Sequence, residues 1–242
     1  SLSELLSEEN YLGICNRLKE RGLRQGFACL FYGEPGTGKT ESVLQIARKT
    51  NRDIMQVNIS EVKSMWVGES EKNIKAIFDR YRAVAKHSKH IPILLFNEAD
   101  AVIGKRKEGA ERSVDKMENS IQNIILQEME SLEGIMIATT NLVQNMDSAF
   151  ERRFLYKVKF EKPELAQRTK IWQSMMPRLS ANTAEKLASS FDFSGGQIEN
   201  ITRKCDIESI LYGEDYITDE QIMQYCHEEK IVKKGCARIG FV

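Results

Sequence analysis

No apolar run in this sequence approaches the roughly 20 residues that a membrane-spanning helix needs, and no charged-then-apolar leader opens it. A bilayer span and a secretory route are therefore not expected, and a cytoplasmic location is. The chain also lacks a net charge, with 35 Lys+Arg against 35 Asp+Glu. Nothing global then draws it to nucleic acid, an acidic membrane or a polyanionic substrate, although a local basic patch stays compatible with that balance. Its five cysteines, Cys15, Cys29, Cys205, Cys226 and Cys236, are odd in number and form no Cys-x-x-Cys pair, which suits reduced thiols and gives no zinc signature. The three histidines, His87, His90 and His227, show no metal-ligand spacing and are expected at the surface or at helix ends. There is no internal repeat. The apolar content of 41% and charged content of 29% over 242 residues belong to a folded chain with room for one large domain and a small companion.

What is present is a complete phosphate-binding loop, Gly33-Glu34-Pro35-Gly36-Thr37-Gly38-Lys39-Thr40, followed by Glu41. It lies between an apolar run, Phe27 to Tyr32, and a segment from Lys39 to Thr50 that repeats Val43, Leu44, Ile46 and Ala47 at helical spacing. Glycines let backbone N–H groups face phosphate oxygens, and a helix N-terminus adds partial positive charge. In such a loop Lys39 neutralises the β and γ phosphates of a nucleoside triphosphate, and the Thr40 hydroxyl ligates Mg²⁺.

Five strand-like runs, Phe27 to Tyr32, Asp53 to Ile59, Ile91 to Phe96, Gly134 to Thr140 and Phe154 to Phe160, alternate with segments long enough for helices. That order predicts an α/β fold: a three-layer αβα core on a parallel five-stranded sheet covered on both faces, over residues 1–162. Ile74, Ile77, Phe78, Tyr81 and Ala85 mark one amphipathic helix, and Ile121, Ile124, Ile125 and Met129 another. The charge-dense stretch Lys105 to Lys116 predicts a mobile surface loop. From residue 163 to 242 the strands cease. Glu164 to Met176, Thr183 to Phe191, Gly195 to Tyr212 and Thr218 to Lys230 predict a small all-helical domain with Ser194 and Thr218 as N-caps.

Further strings follow the loop in order. They are Met65-Trp66-Val67-Gly68-Glu69-Ser70, Phe96-Asn97-Glu98-Ala99-Asp100, Ala138-Thr139-Thr140-Asn141, Asp147-Ser148-Ala149-Phe150-Glu151-Arg152-Arg153-Phe154 and Ser194-Gly195-Gly196-Gln197. Together they resemble the AAA+ ATPases, and within them the AAA clade, over most of the chain. The resemblance implies ATP and Mg²⁺ as ligands and a helical lid in which Gly196 and Gln197 lie near the nucleotide. It implies a hexameric homo-oligomer in which a loop carrying Met65, Trp66 and Val67 grips a protein substrate in a central pore. The alternative for Trp66 is local packing under its loop.

Each matched position also has a chemical rationale. Glu98, just past a buried strand, is the expected catalytic base, with an acidic N-cap as its alternative. Asn141, at the end of the next strand run, is expected to position the attacking water. Arg152 and Arg153 are candidate arginine fingers acting on a neighbouring subunit's γ-phosphate. The family separates its two fingers whereas here they are adjacent, so which one acts stays open, as does a role as surface cations.

One departure is chemical. Where the resemblance implies an Asp beside the Mg²⁺ shell, the chain has Asn97, a neutral carbonyl oxygen and an NH₂, with Asp100 three residues on to compensate. Two mechanisms follow: an ATPase that tolerates the lost charge, or a nucleotide-binding switch that hardly turns over. A DNA-associated loader or transposition helper is the other class, and it lacks the basic, aromatic-interleaved surface it would need. Only residues 1–32 precede the loop, fewer than the resemblance implies, so the chain is expected to be a fragment.

Overall fold

The computed structural model describes residues 1–59, 70–105, 113–142, 144, 146–213 and 216–231. By internal contacts the chain divides into two units, Ser1–Glu34 with Lys39–Phe160, and Pro35–Gly38 with the chain from Glu161 onward.

The first unit is built on five strands: β1 (Phe27–Gly33), β2 (Ile54–Asn58), β3 (Ile93–Asn97), β4 (Ile135–Thr140) and β5 (Tyr156–Phe160). They form one sheet in the order β2-β3-β4-β1-β5, and every pairing is parallel. A parallel sheet must be covered on both faces, and side chains alternate between those faces along each strand. Ala28, Leu30, Leu94, Phe96, Met136 and Ala138 join one core. Phe27, Cys29, Phe31, Ile93, Leu95, Ile135 and Ile137 join the other.

The helices that close these cores are α1 (Leu2–Leu5), α2 (Glu8–Glu20), α3 (Lys39–Thr50), α4 (Ser70–His87), α5 (Asp100–Ile103), α6 (Ser113–Glu130) and α7 (Ser148–Arg153). Ile74, Phe78 and Tyr81 of α4, Ile121 and Ile125 of α6, and Phe150 of α7 cover one face. Val43 and Ala47 of α3, Tyr11 of α2 and Leu6 cover the other. Tyr81 carries a polar group into its core and satisfies it: the hydroxyl donates to Pro92 O at 2.8 Å and accepts from Ile135 N–H at 2.9 Å. Burial pushes its pKa up to about 12, so it stays a neutral donor.

Three features differ from the sequence-based expectation. Helices α1 and α2 were not anticipated. They are held from afar by Arg52, 6% exposed, whose Nε donates to Leu6 O, whose Nη1 donates to Ile91 O, and whose guanidinium lies over the Tyr11 ring. The stretch Lys105 to Lys116 is not loop throughout, because α6 begins at Ser113; residues 106–112 lie outside the described residues. His90 is nearly buried rather than on the surface, with Nδ1 3.4 Å from the Glu8 carboxylate.

The second unit contains α8 (Leu165–Met175), α9 (Ala181–Ser190), α10 (Gly195–Tyr212) and α11 (Asp219–Ile231). They pack around Trp172, Leu187, Phe191, Ile198, Ile201, Cys205 and Cys226. Ser194 caps α10 as expected, in a reciprocal box in which its hydroxyl accepts from Gln197 N–H and the Gln197 side chain accepts from Ser194 N–H. The Thr218 hydroxyl accepts from Gln221 N–H at the start of α11. Arg168 ties the entry of the unit together by donating to Pro163 O, Ala188 O and Asp192.

Candidate nucleotide-binding site

The strand order decides what meets what. β1 ends in the phosphate loop, β3 in Asn97-Glu98 and β4 in Thr139-Thr140-Asn141; these three strands lie side by side, with β4 between β1 and β3. Ligands of open α/β sheets bind beyond the carboxyl ends of the strands.

Gly33 closes β1 at φ 148°, and an added Cβ there would lie 2.0 Å from Phe160 O, so the loop can leave the sheet at this point only through a glycine. Lys39 opens α3 and is 7% exposed; its Nζ donates to Gly33 O at 2.8 Å and Glu34 O at 2.7 Å. Burial lowers its pKa below the ordinary 10.5, against an opposing pull from the Asp100 carboxylate. The amine is held over its own loop by two carbonyls, where a phosphate would compete for it.

Next to it, Thr40 Oγ1 donates to Asn97 Oδ1 at 2.8 Å, and Thr139 Oγ1 donates to the same oxygen at 2.9 Å. Thr139 Oγ1 also accepts from Glu98 N–H at 3.2 Å. Glu98 follows β3 at φ 53°, a left-handed conformation that a non-glycine residue adopts at a cost, and its side chain is exposed. It is not the N-cap of α5; that position is Ala99. Asp100 Oδ1 accepts from Thr140 Oγ1 at 2.5 Å and from Asn141 N–H at 2.9 Å, which fixes the backbone at Asn141 and leaves that side chain exposed.

Thr40, Asn97, Thr139 and the Glu98 backbone thus form one hydrogen-bonded set, Asp100 holds Thr140 and the Asn141 backbone in a second, and Lys39 is bonded to its own loop. Thr139 was legible only as part of the string Ala138-Thr139-Thr140-Asn141. Its hydroxyl becomes informative once the β3–β4 register, Phe96 opposite Ala138, is known.

The two arginines of α7 are not equivalent. Arg153 is engaged by its own unit: Nη1 donates to Ala149 O at 2.9 Å, Nε to Leu126 O at 3.2 Å, and Nη2 pairs with Glu130. Arg152 is exposed, and its one hydrogen bond among the described residues is a long one to Ser148 O, 3.4 Å. In the second unit, Gly196 N–H donates to Gly36 O at 2.9 Å, and Gly36, at φ 74°, has no room for a Cβ beside Ser194 Oγ. The Gln197 side chain is used in the α10 capping box. Met65, Trp66 and Val67 lie outside the described residues.

Residues 29–162 match the family model described as "ATPase family associated with various cellular activities (AAA)". The chain belongs to the AAA ATPase family. Among relatives of this AAA chain, the 26S proteasome regulatory subunit 6A of Saccharomyces cerevisiae is 27% identical over 222 residues, 86% of this chain and 49% of that protein. Protein CdcH of Halobacterium salinarum is 32% identical over 203 residues, 80% and 26% respectively. The vesicle-fusing ATPase of Arabidopsis thaliana is 28% identical over 200 residues, 75% and 27%. The AAA chain thus spans half or less of the length of these relatives.

A nucleotide and Mg²⁺ are implied by the family, and the residues fit them. Because Thr40 gives its proton to Asn97 Oδ1, the remaining lone pairs of Thr40 Oγ1 are available to a hard cation, which takes oxygen donors. Asn97 fills the acceptor role without contributing a negative charge. Among the described residues no helix is long and apolar enough to cross a membrane.

Proposed function

We propose that the chain is the ATP-hydrolysing module of an oligomer that remodels a protein substrate. The observation that carries this reading is the single network running from Thr40 through Asn97 and Thr139 to Glu98, beside a buried Lys39. Lys39 exchanges its two loop carbonyls for phosphate oxygens. Glu98 takes the proton of a water whose oxygen attacks the γ-phosphorus as the bond to the β–γ bridging oxygen breaks, giving ADP and phosphate. Mg²⁺, when bound, neutralises charge on the β and γ oxygens. Asn141, held through its backbone by Asp100, orders the water. Arg152 acts on a neighbouring subunit's γ-phosphate, because Arg153 is already committed within its own unit. A protein substrate is favoured by relatives named for proteasome regulation and vesicle fusion.

The test is steady-state ATP hydrolysis against protein concentration at saturating Mg²⁺, with Glu98→Gln as the blank. Activity per subunit that climbs with concentration supports a finger supplied in trans. Turnover no higher than the blank, with ATP still bound, favours the second reading, a nucleotide-binding switch, for which the neutral Asn97 is the specific observation.

A further inference from the structure

We infer that Thr139 is a positioning residue of this site: its hydroxyl selects the orientation of the Asn97 carboxamide and thereby directs the Thr40 lone pairs outward. The inference rests on the assignment of the site to ATP and Mg²⁺. Its basis is a proton count. A threonine hydroxyl has one proton to give. Thr139 Oγ1 accepts from Glu98 N–H, and it sends its proton to Asn97 Oδ1, as Thr40 does. Both protons converge on one oxygen, and the Asn97 NH₂ is left pointing away without a protein partner among the described residues.

Turning the carboxamide over would present N–H to both threonines. Thr40 alone does not prevent this, since an exchangeable hydroxyl accepts as readily as it donates. Its proton would then face outward, towards the position of a cation. Thr139 breaks the tie because it is only 2% exposed: with Glu98 N–H and an Asn97 N–H both donating to it, its own buried proton would lose the one acceptor it has among the described residues, Asn97 Oδ1. A carboxylate would need no such selection, because both of its oxygens accept. Thr139 is therefore required by the asparagine, and its importance should vanish in an Asn97→Asp variant.

The experiment is titration of a fluorescent ATP analogue in Mg²⁺ and in EDTA, which reads the metal-linked part of affinity without turnover. For Thr139→Val the gain in affinity conferred by Mg²⁺ falls about ten-fold, while affinity in EDTA stays within about two-fold of the parent. Thr139→Ala, which removes the hydroxyl without placing a methyl against Asn97, behaves alike, and Thr139→Ser restores the Mg²⁺ response. In an Asn97→Asp background, Thr139→Val leaves that response within about two-fold, a non-additivity expected only of coupled residues. The inference is overturned if Thr139→Val and Thr139→Ala keep the parental Mg²⁺ response, or if they cost as much in the Asn97→Asp background as in the parent. A parent that binds no nucleotide, or a Lys39→Ala variant that binds as tightly as the parent, sinks the site assignment and this inference with it. Binding that is lost in Lys39→Ala yet indifferent to Thr139 sinks this inference alone.

Discussion

Thr40 and Asn97, 57 residues apart in sequence, are joined by a 2.8 Å hydrogen bond from hydroxyl to carbonyl oxygen. The bond keeps the acceptor that the site needs and omits the charge that a carboxylate would bring. Hydrogen bonds to charged groups are worth roughly 1.5–3 kcal/mol net, so Asn97→Asp is expected to tighten Mg²⁺ binding by about ten- to hundred-fold. A Mg²⁺ titration at fixed ATP checks this, and an unchanged midpoint would place residue 97 outside the metal shell.

Lys39 and Glu98 separate binding from chemistry. Lys39→Ala is expected to abolish nucleotide binding. Glu98→Gln is expected to keep binding and lower turnover by at least about a hundred-fold, the lower end of what general-base catalysis supplies. Equilibrium binding measured beside single-turnover hydrolysis distinguishes the two, and tight ATP binding by Lys39→Ala would refute the loop assignment.

Burial of Lys39 has a pH signature. Its folded pKa lies below the unfolded 10.5, so between those values the unfolded chain binds more protons and stability attributable to this residue rises with pH. The stability of the parent minus that of Lys39→Met should therefore increase between about pH 8 and pH 10, near the unperturbed lysine value. Denaturant unfolding at the two pH values measures it; a constant or shrinking difference would show that burial does not govern the lysine.

The adjacent arginines should fail in different ways. Arg153→Ala loses contacts to Glu130, Ala149 and Leu126, and is expected to cost about 2 kcal/mol, or about 4–8 °C in melting temperature. Arg152→Ala is expected to melt like the parent and to lose hydrolysis that depends on assembly, by about a thousand-fold or more if it is the finger. Calorimetry and ATPase assays on both variants would reveal whether the roles are exchanged.

Tyr81→Phe removes a buried hydroxyl that serves Pro92 O and Ile135 N–H. It should destabilise the first unit by about 1–3 kcal/mol without changing nucleotide affinity. A shift in denaturation midpoint together with weaker ATP binding would mean that the tyrosine also shapes the site.

Strands β1, β3 and β4 were legible because their residues are apolar on both faces, and α3 because its periodic Val43 and Ala47 begin directly after the loop glycines. Helix α2 was not, since Tyr11 is its one buried residue and a single apolar anchor leaves little period to detect. What fixes it is Arg52, a contact that no local pattern announces. The candidate site divides in the same way. Lys39, Thr40, Glu98 and Asn141 could be named from short strings, whereas the inequality of Arg152 and Arg153 and the bridging by Thr139 depend on side chains brought together by non-local packing.

The register that sets Phe27 against Ile135 and Tyr32 against Thr140 also imposes an order of events on synthesis. The phosphate loop leaves the ribosome about a hundred residues before the strand that must lie between it and Asn97-Glu98. Until β4 inserts, Thr40 and Asn97 have no common sheet to hold them together. A nascent chain that stops short of residue 140 therefore carries the whole loop and cannot form the site, so nucleotide present during translation can reward only chains that have added β4 to the sheet.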